Sequence, residues 1–459
     1  MDEIKGDIHS TLSIPTFVAG PSGPVRSFCL AAWGGLKDGV TKPDSTNKPN
    51  GMLRVRFLRL GALQQAVRQL VKRHTILNCR IVERDNAPWL VPLEGTEPRL
   101  QFLDCSNLDR ESAEQAISEI VWTPFDIATG PLLKVFAVKR DTDEYYVGLV
   151  AHHFVADAVS AGILLSEIVA LHRALARHQP PKLSPVRLKY EDYLRGINMW
   201  VETREGQNAR ISVINRLRDS VVADFTAITS GLEAAGDYFE VDSDVSEAVR
   251  AAARNLGTSP FVVLLTAQNI LNAPFSDGIN SMLKVITTGR EIGDLARIVG
   301  NLADRIFVST SLPKDTSFSE AVLRTHAAVS LSRKTAFVRS DFQLIDLSHN
   351  KISAQAPVFN FRTLPSEASR ATPFKVDEQF VPLRIRPYAN DKRTAPRDAY
   401  YLEIFDNGEA LWGSMRYGRG RILGYLQAFE DVLRSGCSAP QIQISRFDDY
   451  LVHHAKTPA

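Results

Sequence analysis

At 459 residues the chain is too long for one ordinary hydrophobic core, so two domains are expected. Its 44% hydrophobic and 23% charged residues match a soluble globular protein, and 54 basic against 52 acidic residues leave a formal charge of +2. That balance gives no reason to expect a nucleic-acid or membrane-surface partner. The basic pairs Arg333-Lys334 and Lys392-Arg393 read as solvated faces, with a docking patch for an acidic protein as the alternative.

The first ten residues, MDEIKGDIHS, carry early acidic groups and no apolar stretch, unlike a secretion signal. A polar loop rich in Pro, Asn and Gly is read over 37–51, then a helix over 61–73. Strands at 132–139 and 145–150 are separated by the turn-forming Asp141-Thr142-Asp143. Beyond Asp157 the residues Ile163, Leu164, Ile168, Leu171 and Leu175 form one apolar stripe, with Glu167, Arg173 and Arg177 off it, which predicts an amphipathic helix. That helix must end by Pro180-Pro181. A charged segment over 196–234, apolar on one side only, reads as a connection between two α/β halves. The second half starts with a strand at 238–241, continues through helices after Asp244 and after Pro260, and reaches a strand at 283–288. No run of 18 apolar residues is present, so no membrane-spanning helix is expected. Cys29, Cys79, Cys105 and Cys437 are widely spread with no CxxC pair, which suits a reducing cytoplasm and offers neither a metal site nor a disulfide framework. Gly289 and Gly293 do not make a phosphate-binding loop, and no internal repeat is visible.

The run AHHFVADAVS, residues 151–160, is the strongest chemical signal. Two adjacent histidines stand where a strand ends and its loop begins, a common place for reactive groups held by a rigid scaffold. Successive strand side chains point to opposite faces, so His152 and His153 cannot share one role. One is expected in a cleft and the other in packing. Asp157 is well placed as the N-cap of the helix that follows, and a purely structural histidine pair is the competing reading.

HHFVADA resembles the HHxxxDG signature shared by chloramphenicol acetyltransferases and the condensation domains of nonribosomal peptide synthetases. Other segments fall in the same order as in condensation domains. Arg73-His74-Thr75-Ile76-Leu77 is similar to RHExLR, and Pro124-Phe125-Asp126-Ile127 with Gly130-Pro131-Leu132-Leu133 to PFDL…GPLLR. Tyr190-Glu191-Asp192-Tyr193, Gly257-Thr258-Ser259-Pro260, Gly289-Arg290 and Val299-Gly300-Asn301 follow, and 408–417 resembles the C-terminal strand pair. The likeness runs over roughly 50–435. Departures are Ala158 in place of the signature's final glycine, LADR at 302–305, an N-terminal element that is not recognisable, and late elements represented only by PVFNFRT at 357–363. DFGWG, the mark of the plant-type acyltransferases, is absent.

The resemblance implies an α/β fold of two acetyltransferase-like lobes in a V-shaped pseudo-dimer with a central channel. The lobes are expected over 1–195 and 236–459, joined by 196–235. His153 matches the catalytic histidine and is the expected general base, with His152 in packing. Asp157 is expected to pair with Arg290, and backbone amides near Asp157 and Ala158 to face an oxyanion. No metal and no permanently bound cofactor are implied. The donor would be an acyl or aminoacyl thioester on the phosphopantetheine arm of an acyl or peptidyl carrier protein, and the acceptor a small amine or alcohol. The chain holds no adenylation or carrier segment, so a free-standing, monomeric, cytoplasmic condensation enzyme is expected. Alternatives are an acyl-CoA-dependent O- or N-acyltransferase, a catalytically silent carrier-binding module and, more remotely, an epimerisation domain, which DAVS at 157–160 faintly echoes. Direct attack of the acceptor on a thioester needs no protein nucleophile, and accordingly there is no GxSxG elbow and no convincing cysteine nucleophile.

Overall fold

The computed structural model describes residues 15, 17, 24–27, 49–95, 99–230, 235–276, 280–290, 293–340, 343, 356–363, 380–383, 399–418, 420–451 and 453. Cys29, Lys392-Arg393 and most of the polar loop at 37–51 lie outside them.

The first half runs β1 (Val25–Arg26), β2 (Asn50–Arg56), α1 (Leu60–Arg73), β3 (Cys79–Arg84), β4 (Ala87–Pro92), β5 (Leu100–Asp104), α2 (Arg110–Trp122), β6 (Leu133–Lys139), β7 (Glu144–Ala151) and α3 (Ala158–Ala176). Two helices follow, α4 (Tyr190–Val201) and α5 (Arg204–Leu217), of which α4 packs Tyr190, Tyr193, Leu194 and Ile197 into the first core. Then come β8 (Thr229–Ser230), β9 (Ala235–Val241), α6 (Ser243–Asn255), α7 (Pro260–Asn272), β10 (Asn280–Thr287), β11 (Asp304–Ser311), α8 (Phe318–Lys334), β12 (Val358–Thr363), β13 (Phe380–Leu383), β14 (Tyr400–Asp406), β15 (Leu411–Tyr417), β16 (Arg421–Ile422) and α9 (Tyr425–Ser438).

The first large sheet has the order β13-β2-β7-β6-β5. Alternation along its strands sends Leu53, Val55, Val135, Ala137, Val147 and Leu149 into the core under α1 and α3. The other face sends Met52, Phe136, Val138 and Val150 against Ala113, Ile117 and Val121 of α2. The second sheet, β11-β10-β12-β14-β15-β9, is covered on one face by α6, α7, α8 and α9, where Leu283, Val285, Ile306, Val308, Phe359, Leu402, Ile404 and Met415 are buried. On its opposite face, among the described residues, Val213 and Leu217 of α5 pack on Met282 and Phe307.

Two pieces of the second half belong physically to the first. β13 pairs antiparallel with β2 and so completes the first sheet. Leu295, Ile298, Val299 and Leu302, between β10 and β11, are buried in the first core. The close approach needs a glycine at 300, because a Cβ there would stand 2.2 Å from the ring of Tyr190 on α4. Burial of apolar side chains across the junction therefore ties the lobes together.

One helix bears on the expectation that no helix spans a membrane. Helix α3 is long and apolar enough to cross a membrane by length and composition, with a mean hydropathy of 1.5 over its best window. Polar residues are dispersed along it, so no unbroken apolar run gives it away. In this fold Leu164, Ile168 and Leu171 are spent on the first core, as a core helix requires.

Candidate active site

The site begins with a helix start. Asp157 has extended φ and ψ of −124° and −176°, and its Oδ1 accepts from the Ser160 N–H at 2.8 Å and lies 2.9 Å from the Ser160 hydroxyl. That is an N-cap, as the spacing predicts. The second oxygen does something else: Oδ2 accepts from Arg290 Nη1 at 2.5 Å, from Leu302 N–H at 3.0 Å and from Ala303 N–H at 3.1 Å. Cap and ion pair are thus two halves of one arrangement. Asp157 and Arg290 side chains are only 2% and 5% exposed, so the pair sits in low dielectric and its hydrogen bonds are charge-assisted.

Arg290 reaches this position because the chain turns sharply after β10. Gly289 has φ +65°, and a Cβ there would meet the Leu302 carbonyl at 2.2 Å. The guanidinium also donates to the Thr288 carbonyl at 3.1 Å, the Ser160 hydroxyl at 3.0 Å and the Ile298 carbonyl at 3.0 Å. Ser160 completes the knot by accepting from the Gly300 N–H at 3.0 Å.

The two histidines differ in environment, and both lie just past the end of β7, His153 in the turn that follows. His152 is buried at 2% exposure, stacked on Phe154 with centroids 5.1 Å apart and edge-on to Phe125 at 5.8 Å. Its Nδ1 accepts from the Phe154 N–H at 3.2 Å. His153 keeps partial exposure although protein surrounds it. Burial pushes its pKa below the ordinary imidazole value. The charge of Asp157 and a hydrogen bond to the Ala156 backbone pull it back, and the cations Arg305 and Arg362 push it down again. A ring N–H held by the Ala156 carbonyl leaves the other nitrogen as a neutral acceptor. Ala158, exposed, is the first residue of α3, where backbone N–H groups have no intrahelical partner.

The remaining motifs serve as supports. Glu167 on α3 binds Arg73 Nε at 3.0 Å and His74 Nε2 at 2.7 Å, which fixes α1 against α3. Thr75 donates to Glu191 at 2.8 Å, and Tyr190 donates to the Asn301 carbonyl at 3.0 Å. Arg73-His74-Thr75, Tyr190-Glu191 and Gly300-Asn301 therefore form one continuous brace. Asp126 closes its own turn by accepting from Ala128 and Thr129.

Sequence reading missed Ser160, Arg305 and a polar group on the second sheet. Ser160 was legible as the third residue beyond a capping Asp157. Arg305 stood in the stretch LADR, noted only as a departure. Asn360, Arg362, Tyr401 and Glu403 were signalled by period-two polarity in β12 and β14. Asn360 Nδ2 donates to Tyr401 Oη at 2.9 Å and to Glu403 Oε1 at 2.8 Å. Burial pushes the Tyr401 phenol up to about 12, with Glu403 adding to it. Burial likewise pushes the Cys79 and Cys437 thiols up to about 12, which keeps both protonated and poor nucleophiles. Among the described residues no three His, Cys, Asp or Glu side chains are gathered to hold a metal ion.

A condensation-domain sequence profile matches residues 52–396. Tyrocidine synthase 3 of Brevibacillus parabrevis is 24% identical over 418 residues, covering 87% of this chain and 6% of that synthetase. The chain thus spans a small fraction of the length of the curated relatives it matches. The X-domain from teicoplanin biosynthesis superimposes with a TM-score of 0.75 at 16% identity, over 95% of this chain and 98% of its own. SgcC5 from Streptomyces globisporus does so with a TM-score of 0.69 at 18% identity, over 86% and 93%. The two-lobed V common to these structures is the fold of this chain.

The buried pair predicts strong coupling. Asp157→Ala and Arg290→Ala should each cost about 3–5 kcal/mol, because each strands the other charge. In denaturant unfolding the double variant should lose far less than the sum, by well beyond the additive scatter of about 0.3–0.5 kcal/mol. Additive losses would show that Asp157 acts as a helix cap alone.

Proposed function

The chain belongs to the condensation-domain family, and we propose that it is an acyltransferase whose donor is an acyl or aminoacyl thioester presented by a carrier protein and whose acceptor is a small amine or alcohol. The observation that carries this reading is the environment of His153: partly exposed inside the fold, held through one ring nitrogen at Ala156, and biased toward the neutral form.

The acceptor nitrogen or oxygen attacks the thioester carbonyl while the free His153 nitrogen takes its proton. The tetrahedral intermediate puts negative charge on the former carbonyl oxygen, where backbone N–H groups at the start of α3, near Asp157 and Ala158, supply donors. Collapse breaks the C–S bond, and His153 returns the proton to the departing pantetheine sulfur. Asp157 moves no proton, since Arg290, Ser160, Leu302 and Ala303 already occupy both of its oxygens. Holding two substrates in line supplies much of the rate. The family context supports the setting, since condensation domains belong to nonribosomal peptide and polyketide assembly and work with carrier proteins.

His153→Ala should lower kcat by about 10²–10⁴-fold at unchanged melting temperature. The loss is larger for a hydroxyl acceptor, because an amine of pKa near 8 is already partly neutral. A protonated imidazole cannot accept, so activity should fall as pH drops through the His153 pKa, at a pH below the ordinary value of about 6.5. A greater loss of activity in His152→Ala at unchanged melting temperature would reverse the assignment.

Use of acyl-CoA is the competing reading, since CoA carries the same pantetheine arm. A carrier protein can add contacts remote from the reacting carbonyl, which raise kcat/KM. The acyl-carrier donor should therefore exceed the matching acyl-CoA by at least about tenfold in kcat/KM. Equal or better use of acyl-CoA would favour a CoA-dependent acyltransferase.

A further inference from the structure

The two backbone amides that hold Asp157 are themselves held from behind. The Leu302 N–H and the Asn301 carbonyl belong to one peptide unit, and that carbonyl accepts from the Tyr190 hydroxyl at 3.0 Å. The Ala303 N–H shares its peptide unit with the Leu302 carbonyl, which accepts from Arg339 Nη1 at 3.0 Å. Each unit thus runs from the Asp157 carboxylate, 3.0 and 3.1 Å from the two amide nitrogens, to a donor on another element. Donation into a carbonyl polarises its peptide and strengthens the N–H at the other end. A guanidinium does this more strongly than a phenol, because its hydrogen bond is charge-assisted.

Packing brings Arg339 to this point. It follows the turn after α8, where Val338 is buried with Trp200 of α4 and with Val213 and Leu217 of α5. Phe337, in the same turn, packs against the first core. Arg339 is only 4% exposed, and its Nε stands 3.3 Å from Asp304 Oδ2, which also accepts from the Ser340 N–H at 2.8 Å. Asp304 opens β11 directly after Ala303. The Leu302 carbonyl is also the group that a Cβ at Gly289 would strike, and Gly289 immediately precedes Arg290. Two buried ion pairs, Asp157–Arg290 and Asp304–Arg339, therefore meet at one peptide unit. Its N–H binds the carboxylate of the first and its carbonyl the guanidinium of the second, so both charges favour one orientation of the peptide dipole.

We propose that Arg339 is a positioning residue for His153, acting through the Leu302–Ala303 peptide on the Asp157 carboxylate and, through it, on the turn between His153 and Asp157. Tyr190 acts in parallel through the Asn301–Leu302 peptide. The role requires no contact with a substrate. Its bearing on catalysis rests on the reading of His153 as the base, because only then does the set of that turn govern the rate. Without Arg339 the Leu302 carbonyl loses its buried donor, and the segment over 300–304 must shift to find another. A shift there moves the two amides against Asp157, and small errors in placing a reacting group lower kcat steeply.

Amide and imidazole NMR signals of the full chain separate this linkage from folding and from turnover. The variants are Arg339→Met combined with Asp304→Asn, which strands no carboxylate, together with Arg339→Lys and Tyr190→Phe, all measured well below their melting temperatures. In the double variant the Ala303 amide proton should move upfield with Leu302 little changed, and the His153 ring signals should move with it. Tyr190→Phe, which removes one hydroxyl and keeps the ring, should reverse the amide pattern. With a carrier-bound donor, kcat of the double variant should fall about 10–100-fold at unchanged KM, and Arg339→Lys should retain most of the wild-type rate. An Ala303 amide or a His153 ring unmoved in the folded double variant, or a kcat equal to that of the wild type, would overturn the role. Shifts of both kinds in a chain without acyl-transfer activity would leave the positioning of His153 standing and remove the proposed reaction.

Discussion

A carboxylate taken out of water must have its charge matched and its lone pairs filled, or it destabilises the fold that holds it. Asp157 meets that demand with donors from three separate places: Ser160 in its own helix, Arg290 after β10, and the backbone at Leu302 and Ala303 before β11. Ser160 and Arg290 then bind each other and the Gly300 backbone. Few alternative arrangements satisfy so many polar groups at once, and a half-satisfied buried network is worse than none. The junction between the lobes is thereby specified in geometry as well as filled with apolar side chains.

That constraint sets the place of His153. His153 follows β7 and precedes Asp157 by four residues, so fixing the carboxylate fixes the turn between them. Phe154, Val155 and Ala156 are buried within that turn at 1%, 0% and 0% exposure, which leaves His153 little freedom to move. Asp157 favours the protonated imidazole through its charge, while burial, Arg305 and Arg362 oppose it. The net balance favours the neutral imidazole beside a carboxylate.

The local pattern was legible in the sequence wherever a period governed it. The stripe of α3, the strands β6 and β7, the Asp157 cap and the opposed fates of His152 and His153 all follow from spacing. The Asp157–Arg290 pair came from family likeness, because 133 residues separate the partners and no local rule reaches that far. Neither the pairing of β13 with β2 nor the burial of Leu295, Ile298 and Val299 in the first core could be read, since both depend on where a distant sheet edge and core lie. The polar face of the second sheet is written in the alternation of β12 and β14, but PVFNFRT reads first as a motif remnant rather than as a polar strand face.

Hydrogen exchange resolved to single amides tests the central role of the Asp157 carboxylate most directly. The N–H group of Ser160 lies more than a hundred residues in sequence from those of Leu302 and Ala303, yet all three share one acceptor side chain. In Asp157→Ala, protection at all three amides should fall together, while amides in the middle of β14 and β15 keep theirs. Loss confined to Ser160, with Leu302 and Ala303 as protected as in the wild type, would contradict the account and reduce Asp157 to the cap of one helix.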